Sequence, residues 1–170
     1  MSYKWIGAVL IVISCGGFGF SLAAAQRRDE GTLRKLIGAL DFMECELQYR
    51  LTPLPDLCRQ AGTESSGCIR EVLLNLAAEL ESQVAPDVAS CMSAALSMTK
   101  DIPKHTKDAL KQMGQSLGRF DLTGQLKGLE AVRSTCRRDL ATLTANKEVR
   151  LRSYQTLGLC AGAALAILFI

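Results

Sequence analysis

Charge is missing from both ends of this chain of 170 residues: apart from Lys4, every Asp, Glu, Lys and Arg lies between Gln26 and Ser153. Missing too are the short motifs of common chemistries. No G-x-x-x-x-G-K-[ST] loop is present to cradle phosphates, and no strand pattern to hold one, which removes the usual route to nucleotide hydrolysis. Neither G-x-S-x-G nor H-E-x-x-H occurs. The one histidine, His105, has no cysteine close by and reads as a surface residue near a helix start, so hydrolytic and zinc chemistry lack their parts. The seven cysteines are odd in number and scattered, and no two are spaced C-x-x-C. This excludes a disulfide framework and a thioredoxin-like couple, and leaves Cys45, Cys58, Cys68, Cys91 and Cys136 as small hydrophobes. No catalytic residue, cofactor, metal or nucleic-acid partner is expected.

Aromatic residues are also scarce, at 5% of the chain. Ala, Leu, Lys, Glu and Gln dominate instead, a composition of high helix propensity with little β-branched content. An all-α fold follows, and the charge pattern divides it into three: an apolar segment 1–25, a polar helical region 26–153 and an apolar segment 154–170.

Trp5 to Ala25 is a run of 21 residues without a charge, which at about 1.5 Å per residue spans a hydrocarbon core of about 30 Å. The 17 residues from Tyr154 to Ile170 reach only about 25 Å, so this second span has to thin the bilayer slightly or begin in the interface, at Tyr154 and Gln155. Arg27, Arg28, Arg34 and Lys35 follow the first segment, and Lys147, Arg150 and Arg152 precede the second. By the positive-inside rule the middle faces the cytoplasm and both termini lie outside it. Two competing readings export the middle: a secretory leader cleaved at Ala23-Ala24-Ala25, and a lipobox Val12-Ile13-Ser14-Cys15-Gly16 with a lipidated Cys15. The arginines directly after the span, and the basic flank of the second span, weigh against both. In that second span Gly158 and Gly162 repeat a G-x-x-x-G spacing beside Ala161. Such a face lets membrane helices approach closely, either the first span with its Gly16, Gly17 and Gly19 or another copy of the chain.

The middle region is expected to be a bundle of about six helices. Leu33, Leu36, Ile37, Leu40, Met43, Leu47 and Leu51 recur at three- and four-residue steps, one stripe of a helix from about Asp29 to Leu51. Thr52 is the expected cap of a second helix and Pro53 its first-turn residue, with Leu54, Leu57 and Cys58 as the apolar face. After the break at Ser65-Ser66-Gly67, a third helix carries Ile69, Val72, Leu73, Leu76 and Leu80 and ends near Gln83. Pro86 opens a fourth, with Cys91, Ala94, Ala95 and Met98 as its buried side, and Asp101-Ile102-Pro103 closes it. Leu110, Met113, Leu117 and Phe120 are the core positions of a fifth. Gly114 and Gly118, assigned to one side of it, point to close packing inside the bundle. Asp121 caps the last helix, whose Leu122, Leu126, Leu129, Val132, Cys136, Leu140 and Leu143 follow a near-heptad spacing. No proline interrupts it from Leu129 to Ile170, so one helix can run from the bundle into the second span.

Charges are unevenly shared in the middle region. Acids outnumber bases eleven to seven from Gln26 to Ser90, and bases outnumber acids twelve to six from Cys91 to Ser153. Such polarity either orients a partner or pairs internally. The sharpest local feature is Glu44-Cys45-Glu46-Leu47-Gln48-Tyr49. Glu44 falls within the leucine stripe and needs a partner, so it either pairs with an arginine of the last helix or lines an acidic groove. Phe42, Glu46 and Tyr49 cluster on the opposite side as an exposed contact patch.

The segments E-C-E-L-Q-Y-R-L-T-P-L from Glu44, M-G-Q-S-L-G-R-F-D-L-T-G-Q from Met113 and Y-Q-T-L-G-L-C-A-G from Tyr154 together resemble the stage III sporulation protein AB family over the whole chain. That family is related to the F-type platform proteins of type II secretion and type IV pilus systems, whose small-Pro-Leu turn Thr52-Pro53-Leu54 is similar to. Glu44, Glu46, Tyr49, Thr52, Pro53 and Leu54 match the first family motif, and Gly114, Leu117, Gly118, Asp121 and Gln125 the second. Met113 stands where the family has Leu, and Phe120 where it has a small polar residue. The resemblance implies a non-enzymatic component of the secretion-like channel complex between mother cell and forespore, seated in the mother-cell membrane around the forespore. Its implied partners are membrane lipid, other membrane components of the complex and a secretion-type ATPase, stage III sporulation protein AA, received by acidic residues with Glu44 and Glu46 foremost. A lipid-anchored or membrane-tethered scaffold that only oligomerises is the alternative.

Overall fold

The computed structural model describes residues 27–83, 85–118 and 121–169, with side chains as far as Ala145. Six helices follow one another: α1 over 27–49, α2 Leu54–Glu64, α3 Cys68–Ser82, α4 Val88–Met98, α5 Lys104–Ser116 and α6 Leu122–Phe169. The middle region is thus the all-α bundle its composition implies. From α2 to α6 each helix packs on the next, and α6 returns antiparallel along α1.

Leucine spacing builds the centre. Leu33, Leu36, Leu40, Met43 and Leu47 of α1 meet Leu57 and Cys58 of α2, Ile69, Val72, Leu73 and Leu76 of α3, Leu110 and Met113 of α5, and Leu129, Val132 and Cys136 of α6 in one buried cluster. Each such side chain withdrawn from water contributes about 1.5–3 kcal/mol. Ile37 is only half-buried, and Leu51 lies beyond the end of α1, 66% exposed, because the helix stops at Tyr49.

On α4 the buried residues are Cys91, Met92, Ala95 and Leu96, whereas Ala94 is half-buried and Met98 is 59% exposed. The expected face is therefore rotated. Met92 and Leu96, one turn apart, carry the apolar bulk, and Met98, the last residue of the helix, points away from that face. Turn chemistry differs in detail as well. Pro53 is the N-cap of α2 and Pro55 occupies its first turn, while the Thr52 hydroxyl donates back to Glu46 at 3.2 Å and caps nothing. Asp87 caps α4 through Ser90 N–H at 3.0 Å, and Asp121 caps α6 through Gly124 N–H at 3.0 Å, as that residue type favours.

α6 is a single helix of 48 residues. Among the described residues no helix is long and apolar enough to cross a membrane. The span expected over 1–25 and the core position expected at Phe120 lie outside the described residues, as does the side-chain packing expected at Gly158 and Gly162.

Candidate functional site

Two segments far apart in sequence meet at the end of the bundle where α1 stops and α6 starts. Leu47, Leu51, Thr52 and Leu54 from the first, with Gly118, Leu122 and Gln125 from the second, line an open depression of about 270 Å³. Three large apolar side chains stand exposed there: Tyr49 at 77%, Leu51 at 66% and Leu122 at 37%. Clustered exposure of this kind marks an interaction surface more often than a lone exposed leucine does.

The backbone around the depression is held in unusual conformations. Leu51 has φ of 52°, left-handed without the excuse of being glycine or asparagine, at a cost of about 1–2 kcal/mol. It then exposes the side chain that the strain has positioned, so neither backbone ease nor burial accounts for it. Gly118, with φ of 71°, lies past the C-terminus of α5 and turns the chain towards α6. A Cβ there would lie 2.5 Å from Val88 Cγ2. Gly114 inside α5 permits a different close approach, since a Cβ would meet Met92 Cβ of α4 at 2.7 Å. Close packing inside the bundle therefore accounts for Gly114, whereas Gly118 belongs to the turn rather than to α5.

The two glutamates have separate fates. Glu44 is bound at 2.6 Å by Arg133 of α6, and the same guanidinium reaches Asp41 at 2.8 Å and also pairs with Glu130. Arg137 adds a 3.8 Å contact to Asp41. An arginine of the last helix is thus a partner of Glu44, and the cluster ties α1 to α6. Glu46 is 12% exposed at its side chain, pairing with Arg50 at 3.5 Å and accepting from Thr52, so it braces the α1–α2 turn from the edge of the depression. Phe42 is half-buried against the core, leaving Tyr49 as the exposed member of the patch expected from Phe42, Glu46 and Tyr49. The patch forms instead from Tyr49, Leu51 and Leu122. Helical periodicity had placed the two leucines inside, and nothing in their spacing signals exposure.

His105 is half-exposed and stands 3.5 Å from Asp139. Cys58, Cys91 and Cys136 are buried, Cys45 is exposed and Cys68 half-buried. Burial pushes the Cys58 thiol up to about 12 and the Cys136 thiol up to about 11, so both stay protonated and unreactive. Among the described residues no group of His, Cys, Asp or Glu is arranged to hold a metal ion. What the site offers is surface for another molecule.

A sequence model described as stage III sporulation protein AB matches residues 4–170. Stage III sporulation protein AB of Bacillus subtilis (strain 168) is 24% identical over 170 residues, covering 98% of this chain and 99% of that protein. A solved structure of a stage III sporulation protein AB superposes with a TM-score of 0.61 at 21% identity, over 69% of this chain and 94% of the other, a likeness of fold. The chain belongs to the stage III sporulation protein AB family.

Proposed function

We propose that this protein is a membrane-embedded, non-enzymatic platform in a secretion-like channel complex of the sporulating cell, and that it docks a cytoplasmic secretion-type ATPase. The observation that carries the reading is the convergence of the two motif segments, 44–54 and 113–125, on one exposed apolar depression. Docking uses Tyr49, Thr52, Pro53, Leu54, Asp121 and Gln125 with the exposed Leu51 and Leu122, and Glu46 sits at the edge as the acidic contact. Glu44 serves the bundle through Arg133. In this reading 1–25 is a membrane span, the 17 residues 154–170 enter the bilayer as a short second one that thins it or begins in the interface, the bundle is cytoplasmic, and α1 and α6 pass motion between the docked ATPase and the membrane.

Replacing Tyr49 and Leu51 together by Asp is expected to weaken ATPase capture by the full chain about a hundredfold, the effect of losing two interface anchors of about 1–2 kcal/mol each. Helicity and thermal midpoint should hold, because both side chains are solvated already. Undiminished capture by the folded variant overturns the docking reading. Loss of self-association in its place would instead favour the oligomerising scaffold. The compartment has its own test: a membrane-impermeant maleimide should reach Cys45, the exposed thiol, in lysed cells and not in intact ones.

A further inference from the structure

We infer that the turn between α4 and α5 is a second contact of the protein with the membrane surface, one that takes anionic lipid headgroups; the inference rests on the reading of 1–25 as a span.

The turn stands at the end of the bundle opposite the depression. Met98, the last residue of α4, is 59% exposed, and Lys100, Lys104 and Lys107 around it are exposed as well. Asp101 adopts a left-handed conformation, with φ of 61°. Its carbonyl accepts from Arg28 Nη2 at 3.3 Å, and its carboxylate lies 3.6 Å from the same nitrogen. The turn is thereby tied to a residue that follows Ala25, the end of the charge-free run, by three positions. Arg27 and Arg28 are exposed beside it. Wherever the first span leaves the bilayer, this turn accompanies it to the interface.

Its chemistry suits that place. One flexible apolar side chain, Met98, stands exposed among the exposed Lys100, Lys104 and Lys107. A lysine can lay its methylenes on apolar surface while its ammonium reaches phosphate, and methionine can enter the headgroup boundary. Acids are present, but Asp101 is engaged by Arg28 and Glu30 by Arg34, Asp139 lies 3.5 Å from His105, and with Asp29 and Asp108 they are outnumbered by Arg27, Arg28, Arg34, Lys100, Lys104 and Lys107. An excess of basic groups within a Debye length of a bilayer is drawn to anionic lipid and to no neutral one.

The test uses the full chain in lipid nanodiscs, with Cys15, Cys45, Cys68 and Cys160 replaced by alanine. A fluorophore is placed on Met98→Cys, or for comparison on Tyr49→Cys. In discs containing phosphatidylglycerol, a headgroup-attached quencher should quench the label at 98 several-fold more than the label at 49. Discs of phosphatidylcholine alone, ~1 M salt with its Debye length of about 3 Å, or the combined Lys100→Glu, Lys104→Glu and Lys107→Glu variant should each lower the quenching at position 98 while leaving position 49 unchanged. Equal quenching at the two positions in the anionic discs overturns the inference and leaves the anchoring reading standing. So does quenching at 98 that ignores both lipid charge and lysine reversal. Failure of the chain to enter discs at all overturns the anchoring reading and the inference with it.

Discussion

The two ends of the bundle are made from similar parts and set in opposite surroundings. Each has a turn with a non-glycine residue in the left-handed region, Leu51 at one end and Asp101 at the other, and each has at least one large apolar side chain exposed, Tyr49, Leu51 and Leu122 at the first and Met98 at the second. Leu51 and Leu122 line a depression whose described lining residues carry no charge. Around Asp101 a single exposed methionine stands among exposed lysines. Apolar exposure alone therefore does not name a partner; the charge beside it does. A concave apolar surface suits a protein, and an isolated apolar tip among cations suits a lipid interface. Between the ends lies α1, whose residues 27–49 extend about 34 Å at about 1.5 Å per residue. Arg133 binds α6 to it through Asp41 and Glu44.

The depression end is most vulnerable at Gly118. Substitution by valine places a branched Cβ in a left-handed backbone and 2.5 Å from Val88 Cγ2, which should destabilise the bundle by about 2–4 kcal/mol and distort the depression, as read by urea unfolding and ATPase capture. Glu44→Lys should come next, at about 2 kcal/mol, between the small value of a surface pair and the larger one of a buried pair. Its side chain is 26% exposed and that of Arg133 19%. ATPase capture by the folded fraction should stay intact, which separates a bundle contact from a docking contact.

A smaller, graded effect is expected from alkali. The folded bundle holds the thiols of Cys58 and Cys136 protonated up to about 12 and about 11, whereas unfolded thiols ionise from about 9. The unfolded state therefore binds fewer protons above pH 9, and stability should be insensitive to these groups below that pH and decline above it. Unfolding midpoints from pH 7 to 10.5 should decline less steeply in Cys58→Ala and Cys136→Ala proteins. The smallest effect belongs to Met98→Ser, which should alter neither stability, beyond about 0.5 kcal/mol, nor ATPase capture.

Much of this arrangement was legible in the sequence. Leu33, Leu36, Leu40 and Met43 lie buried because three- and four-residue spacing dictates a helix face, and Asp121 caps α6 because an aspartate before a helical run can accept from its first free amides. The face of α4 was harder to read. Ala and Ser surround its few bulky residues, so two faces are nearly equivalent in pattern, and only packing against α3 and α5 decides for Met92 and Leu96 over Met98. The depression was beyond periodicity altogether. It requires α6 to return antiparallel along α1, which brings Leu122 beside Leu51, and a turn that throws Leu51 out of its own stripe. The resemblance to the family singled out both segments, and their meeting is a property of the fold.

If protein and lipid partners take opposite ends of the bundle, site-specific photocrosslinking in sporulating cells will separate them, with the photoreactive residue at position 49 in one strain and at position 98 in another. An adduct with the secretion-type ATPase is expected from position 49 and none from position 98, where lipid is captured instead. An ATPase adduct from position 98, with position 49 silent, would rule this arrangement out.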